Sequence, residues 1–153
     1  MGEAELHLER IIKAPIDAVF DRLADIESIN TWEPHKGSIR RRTRTTSSGP
    51  VGVGTTYEDS TLFGKAPGEV ETFERPTRLV FHWWQKAPWG AKLAEGWPGY
   101  TLEAVSEDET LVRHDARLKT YGVYGPAIPV MKRIAVRERT AVLDALEASF
   151  AEA

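Results

Sequence analysis

Two side chains in the second half of the chain have the chemistry of a general acid or base, namely His114 and Glu138. His114 is followed directly by Asp115, but adjacent residues of a strand point to opposite faces, so the two cannot act as a pair. The alternating apolar residues of 112–118 place His114 on the inner face. An inward histidine is either a hydrogen-bonded core residue, which is the commoner case, or a catalyst.

Glu138 falls in the middle of the apolar stripe of the last helix. At 3.6 residues per turn, that stripe contains Ile134, Ala135, Val142, Ala145 and Leu146. A carboxylate there is costly to bury without a partner, and burial raises its pKa. Three interpretations remain open: Glu138 is an acid or base, it pairs with an inward arginine such as Arg41, or it reaches water at a local helix end.

The sequence contains no residue pattern typical of a metal or cofactor site. Cysteine is absent, which excludes disulfides, thiolate metal sites and cysteine nucleophiles. The four histidines are His7, His35, His82 and His114, and none has the spacing of a zinc site. No nucleophile elbow, phosphate-binding loop or dinucleotide fingerprint is present. The sequence predicts neither a metal nor a cofactor.

The basic cluster of the chain has two interpretations. Alternation places Arg40, Arg42 and Arg44 on one strand face, where they could contact a phosphate or RNA. The net charge of -3 favours instead a solvated face that pairs with carboxylates such as Glu58 or Glu71. We therefore expect no nucleic-acid partner.

The elements that must position these residues follow from periodicity and from turn signals. The order is one strand over 5–13, two helices ending before Pro34, six strands between about 39 and 118, and a long helix over 129–150. Closely spaced consecutive strands indicate an antiparallel meander, on which the amphipathic helix buries its stripe. The 153 residues predict a single domain over 1–153.

No apolar run approaches the roughly 20 residues of a membrane span. The first residues are acidic and lack an apolar signal core, so we expect a cytoplasmic location.

Two features near the fifth strand stay open. The segment 86–98 carries Trp89 and Trp97 and is long for a hairpin connection, so it is either a lid or a surface excursion. In the strand before it, alternation places Trp83 inward and Trp84 outward, and a slip of one residue would exchange them.

Six segments have the order and spacing of a known superfamily. They are 12–20, with a strand end, Pro15 and a helix carrying Phe20; Leu23-Ala24-Asp25; Trp32-Glu33-Pro34; Val53-Gly54-Thr55; the corner 74–81; and the helical 141–147. Together they resemble the START-like (SRPBCC) superfamily, and within it the polyketide cyclase/dehydrase and lipid-transport group. The resemblance implies an α+β helix-grip fold, in which a curved antiparallel sheet of about seven strands wraps around a long C-terminal helix.

The resemblance also implies three alternative functions. The chain binds a small hydrophobic or aromatic molecule, lipid- or polyketide-like, between sheet and helix. Alternatively, it is a cyclase/dehydratase-type enzyme that uses His114 and Glu138 in the same cavity, or a co-chaperone-like interaction domain. Two or more convergent titratable groups in the cavity favour the enzyme, whereas one or none favours a binding protein. A filled core favours the interaction domain, and a homodimer stays open.

The strand phases and the helical stripe define the candidate ligand-binding residues. These are Tyr57, Phe81, Trp83, Tyr100, Leu102, His114, Leu118, Met131, Ala135 and Glu138.

Overall fold

The structure is built on one antiparallel sheet of seven strands. A computed structural model describes residues 1–33 and 39–151; Pro34 of the Trp32-Glu33-Pro34 motif and His35 lie outside them. The strands are β1 (Gly2–Ile12), β2 (Arg40–Thr45), β3 (Thr56–Thr61), β4 (Gly64–Glu74), β5 (Arg78–Lys86), β6 (Lys92–Ser106) and β7 (Glu109–Thr120). Their order in the sheet is β1-β7-β6-β5-β4-β3-β2. Strands β2 to β7 form the predicted meander, and β1 pairs with β7.

Three helices pack on this sheet. Helix α1 (Ile16–Ala24) begins directly after Pro15, and a 3₁₀ turn (Ile26–Ser28) connects it to the short α2 (Ile29–Trp32). A second 3₁₀ segment (Gly122–Ala127) leads into α3 (Ile128–Ala151), which has 24 residues and a length of about 36 Å. The predicted β-α-α-β6-α order and the long last helix are confirmed.

The core lies between the inner face of the sheet and the C-terminal half of α3. Val142, Leu143 and Leu146 of α3 are almost fully buried, and Phe20 of α1 meets Phe73 edge-on at 5.3 Å between ring centroids. Arg10 of β1 is tied to Asp144 of α3 by an ion pair of 2.7 Å. The ion pair and the buried apolar residues hold the C-terminal half of α3 against the sheet. In the described residues, no helix has both the length and the apolarity that a membrane crossing requires.

The segment 86–98 is neither a lid nor a surface excursion, which corrects the sequence interpretation. Residues 92–98 belong to β6, and the connection is the tight turn 87–91, closed by a hydrogen bond from Ala87 N–H to Ala91 O (2.8 Å). Pro98 lacks an N–H, and no pairing is formed between the Val80–Gly99 and Trp83–Gly96 pairs. Gly96, Pro98 and Gly99 are residues typical of loops, which is why the sequence predicted a connection where β6 runs.

The phase of β5 agrees with the sequence interpretation. Trp83 lies on the inner face, where its ring covers Gly96 so closely that a Cβ there would meet ring atoms at 2.7 Å. Trp84 lies on the outer face beside His82, with 5.1 Å between the ring centroids. Gly68 likewise lies so close to the ring of Tyr57 that a Cβ there would collide with it. The two glycines let large aromatic side chains lie flat on the sheet.

The basic strand β2 departs from simple alternation. A β-bulge between Arg40 and Arg42 shifts the register, so Arg40 turns inward and is buried while Arg41 and Arg42 are exposed. Arg44 pairs with Glu58 at 3.1 Å on the solvated face, as expected. The prediction that Arg40 shares this face is wrong, because the bulge inserts one residue into the alternation.

Candidate functional site

An arc of aromatic side chains crosses the inner face of the sheet. Tyr57 meets Phe81 edge-on at 5.8 Å, and Phe81 meets Tyr100 edge-on at 6.4 Å between centroids. Tyr100 stacks on His114 at 4.1 Å with nearly parallel rings, because the two residues are directly opposite in the β6–β7 register. The fold thus brings four of the sequence-predicted site residues into one continuous surface.

His114 is a fully buried histidine with one unused nitrogen. Its Nδ1 lies 2.9 Å from the carbonyl oxygen of Gly99, and a carbonyl only accepts, so Nδ1 carries the proton. Nε2 is then an acceptor, and among the described residues it has no hydrogen-bond partner. Burial, together with the positive charge of Arg139, lowers the pKa of His114 to about 3. The imidazole is neutral at physiological pH.

The two tyrosines of the arc also stay neutral. Burial raises the pKa of Tyr57, and the charge of Asp59 acts in the same direction. Burial raises the pKa of Tyr100, an effect that Arg139 partly offsets. Both phenols therefore keep their protons at physiological pH.

A network of polar side chains lies beside the arc, between α2, β2 and β3. Arg40 donates from Nε to Glu33 at 3.1 Å and from Nη1 to Asn30 at 3.0 Å. Thr43 receives a further bond from Arg40 and donates its hydroxyl to Asp59. The chain of contacts connects the end of α2 to the third strand through buried groups.

Arg139 places a positive charge from α3 against this network. Burial alone would lower its pKa, but Tyr100, Glu33 and Asp59 outweigh that effect and the pKa is raised. Burial raises the pKa of Glu33 and of Asp59, although Arg40 and Arg139 both act against the rise. The β2–β3 side of the interior therefore contains two arginines and two carboxyl groups that interact electrostatically.

Glu138 is buried within the helical stripe, as the sequence predicted. Its Oε1 accepts a hydrogen bond of 3.1 Å from the backbone N–H of Ile39, and its charge acts on Arg139. Arg41 is exposed, so the suggested pairing of Arg41 with Glu138 is wrong. The inward arginine of β2 is Arg40, and it is bonded to Glu33.

The predicted lining residues fall into two groups by exposure. The buried group is Tyr57, Tyr100, Leu102, His114 and Leu118; the half-buried group is Phe81, Trp83, Met131 and Ala135. The half-buried residues belong to the end of β5 and the first turns of α3, whereas the later turns of α3 are buried. Solvent therefore reaches the concave side at the start of α3.

Two surface depressions lie away from these residues. One of about 550 Å³ lies between α1, α2 and α3 and includes Arg22, Trp32 and Ser149. The other, of about 410 Å³, lies on the outer face and includes Arg78, Trp97 and Arg117. Neither contains His114 or Arg139.

Solved structures with the same architecture include two close in length. Zhui aromatase/cyclase from Streptomyces sp. R1128 is 11% identical with a TM-score of 0.78, over 96% of this chain and 93% of that one. A START superfamily protein from Mycobacterium smegmatis is 12% identical with a TM-score of 0.71, over 97% of both chains. The chain has the START-like helix-grip fold. No protein-family model and no curated protein sequence matches it.

A larger protein shares the helix-grip fold as well. The di-domain ARO/CYC StfQ from the steffimycin biosynthetic pathway is 15% identical with a TM-score of 0.67. The match covers 95% of this chain and 44% of that one. At these identities the likeness concerns the helix-grip fold alone.

Sequence reasoning missed three of the charged residues inside this helix-grip fold. Asp59 was detectable, since period-two alternation places it on the same face as Tyr57. Arg139 was detectable too, because it follows Ala135 by four residues on the helical stripe. Glu33 gave no signal, because α2 spans only four residues and has no periodicity to analyse.

Proposed function

We propose that the chain binds a small hydrophobic or aromatic molecule, lipid- or polyketide-like, between the sheet and α3. The observation that carries the proposal is the buried Nε2 of His114, an acceptor without a hydrogen-bond partner among the described residues. A buried polar atom of this kind is costly unless something donates to it. A ligand hydroxyl, such as that of a phenol or an enol, meets this requirement.

The surroundings of His114 support an aromatic ligand. Phe81 and Trp83 present partly accessible rings on the inner face, and rings of this kind pack against a planar apolar body. Tyr100 and Arg139 lie beside His114 as donors for a carbonyl oxygen. A molecule that alternates hydroxyl and carbonyl groups along an apolar body matches this arrangement.

A second candidate is a cyclase/dehydratase-type enzyme in the same interior. The convergence of His114, Tyr57, Tyr100 and Asp59 favours it, as do two structural neighbours that are named aromatase/cyclase or ARO/CYC. Against it, a histidine with a pKa of about 3 is a weak base at neutral pH. The carboxylate of Glu138 is held by Ile39. We therefore rank binding first.

Native mass spectrometry of the purified protein tests the proposal. The expected result is a protein–ligand species with one small molecule per chain, which is depleted in His114→Phe and retained in His7→Gln, a variant of the outer face. Purified protein that carries no small molecule, and that gains none from a panel of hydroxylated aromatic compounds, would contradict binding. Conversion of an added compound that is lost in His114→Phe would favour the enzyme.

A cytoplasmic location and a homodimer remain predictions, which cell fractionation and analytical ultracentrifugation would test.

A further inference from the structure

Large apolar side chains are exposed at one end of the sheet. Trp89 is 78% exposed, Phe63 is 68% exposed and Val123 is 87% exposed. Phe63 lies in the β3–β4 turn, Trp89 in the β5–β6 turn and Val123 in the segment that leads from β7 to α3. Together with their exposed neighbours they form a set that we call the tip surface: Leu62, Phe63, Trp89, Val123, Tyr124 and Val130.

The register of the sheet explains why these residues lie together. Gly68 is opposite Trp83, so extending the pairing by four residues brings Gly64 level with Ala87. Ala94 is opposite Thr120, and extending that pairing by two residues brings Lys92 level with Gly122. Since neighbouring strands are about 4.8 Å apart, the three connections lie within roughly 20 Å of one another.

The tip surface is basic, although the whole chain carries a net charge of -3. The stretches 60–68, 84–94 and 117–134 contain no Asp or Glu. The basic residues of these stretches are Lys65, Lys86, Lys92, Arg117, Lys119, Lys132 and Arg133. Of the carboxylates nearby, Glu95 is buried beside Lys92, Glu58 pairs with Lys65 at 3.7 Å, and Glu3 lies opposite Lys119. The acidic residues that outweigh this charge are elsewhere on the molecule.

We propose that the tip surface docks on a membrane with anionic headgroups. The apolar side chains stand on separate turns instead of lining a groove, which suits insertion into a lipid surface better than the capture of a helix or strand. Tryptophan, tyrosine and phenylalanine at a protein end, flanked by lysine and arginine, are the combination that partitions into the headgroup region. This interaction goes beyond the proposed function and does not depend on it.

Vesicle co-sedimentation tests the docking. Wild-type protein is expected to sediment with vesicles of phosphatidylcholine and phosphatidylserine, and far less with phosphatidylcholine alone. The double variant Phe63→Ser/Trp89→Ser loses about tenfold in partitioning for each aromatic removed. Lys132→Gln/Arg133→Gln loses about fivefold for each charge. The matched control is Val105→Ser, because Val105 is 56% exposed but lies next to the last residue of β6, at the opposite end of the sheet.

Several outcomes would overturn the proposal. Wild-type protein that stays in the supernatant with anionic vesicles is one, and a loss of binding in Val105→Ser as large as in the double variant is another. Dimerisation in analytical ultracentrifugation that the double variant abolishes, without vesicle binding, would assign the tip surface to a second copy of the chain. All the substituted side chains are exposed, so the melting temperatures of the variants are expected to stay close to that of the wild type.

Discussion

His114 owes its chemistry to burial and to a backbone carbonyl of the neighbouring strand β6. The Nδ1–H of His114 donates to the carbonyl of Gly99, which leaves Nε2 as a buried acceptor, and burial keeps the ring neutral. The side chain is therefore suited to receive a hydrogen bond and unsuited to accept a proton. This distinction separates a binding role from a catalytic one at the same position.

The neutral state of His114 predicts sensitivity to acid. Its folded pKa is about 3, below the ordinary value of about 6.5, so the unfolded chain binds more protons between these values. Stability should therefore fall as the pH drops below about 6.5, by up to about 1.4 kcal/mol per pH unit. His114→Phe removes this contribution and is expected to flatten the profile of stability against pH, measured by urea denaturation between pH 7 and pH 4. An unchanged profile would mean that His114 is not held neutral.

His7 is a control for this prediction, because its contribution to stability changes with pH in the opposite direction. The hydrogen bond to Asp115 raises the pKa of this exposed histidine, so its contribution is present at low pH and is lost as the pH rises through the folded pKa. Replacing His7 by Gln should leave the acid-induced loss of stability in place.

Helix α3 shows how far periodicity reaches in predicting an element and its contacts. The stripe of the helix and the burial of Glu138 followed from a 3.6-residue repeat, and the inward phase of Trp83 from alternation. The partner of Glu138 did not follow, because the backbone N–H of Ile39 comes from a segment without periodicity. The inward turn of Arg40 depends on a bulge, and the strand character of 92–98 was hidden by Pro98. Long-range register and backbone irregularities are absent from local patterns, and both shape this site.

Glu138 is expected to act as a structural link between α3 and β2. Glu138→Ala removes the acceptor of the Ile39 N–H, which is part-buried, so the loss should lie at the lower end of the range of about 1–3 kcal/mol for an unsatisfied buried donor. Glu138→Gln keeps an acceptor oxygen at the same place, so its free energy of unfolding should lie closer to that of the wild type. Urea denaturation of the two variants measures the difference. Equal stability of all three proteins would show that the carboxylate reaches water instead.

Arg139 connects the ionisable groups of three elements, the end of α2, β3 and α3. Arg139 of α3 faces the carboxyl groups of Glu33 and Asp59, whose pKa values burial raises. A raised carboxyl pKa means that the stabilising protonated state is lost as the pH rises through that value. Arg139 opposes this loss by stabilising the ionised forms.

Arg139→Met should therefore make the protein less stable at pH 7 than at pH 5. Removing one partner of a buried charge network costs about 3–5 kcal/mol, and protonation of Glu33 and Asp59 relieves part of that cost. The melting temperature of the variant is expected to be higher at pH 5 than at pH 7, with Arg139→Lys as the charge-retaining control. A variant that melts at the wild-type temperature at both pH values would contradict the network.

We propose that the interior accepts a hydroxyl-bearing aromatic molecule at Nε2 of His114. Isothermal titration calorimetry with 2-naphthol and with naphthalene, on the wild type and on His114→Phe, tests it most directly. The wild type should bind 2-naphthol about tenfold more tightly than naphthalene, since one buried hydrogen bond contributes about 1 kcal/mol or somewhat more. In His114→Phe that preference should disappear while naphthalene still binds. Equal affinity of the wild type for both compounds, or a preference that survives in His114→Phe, would contradict the claim.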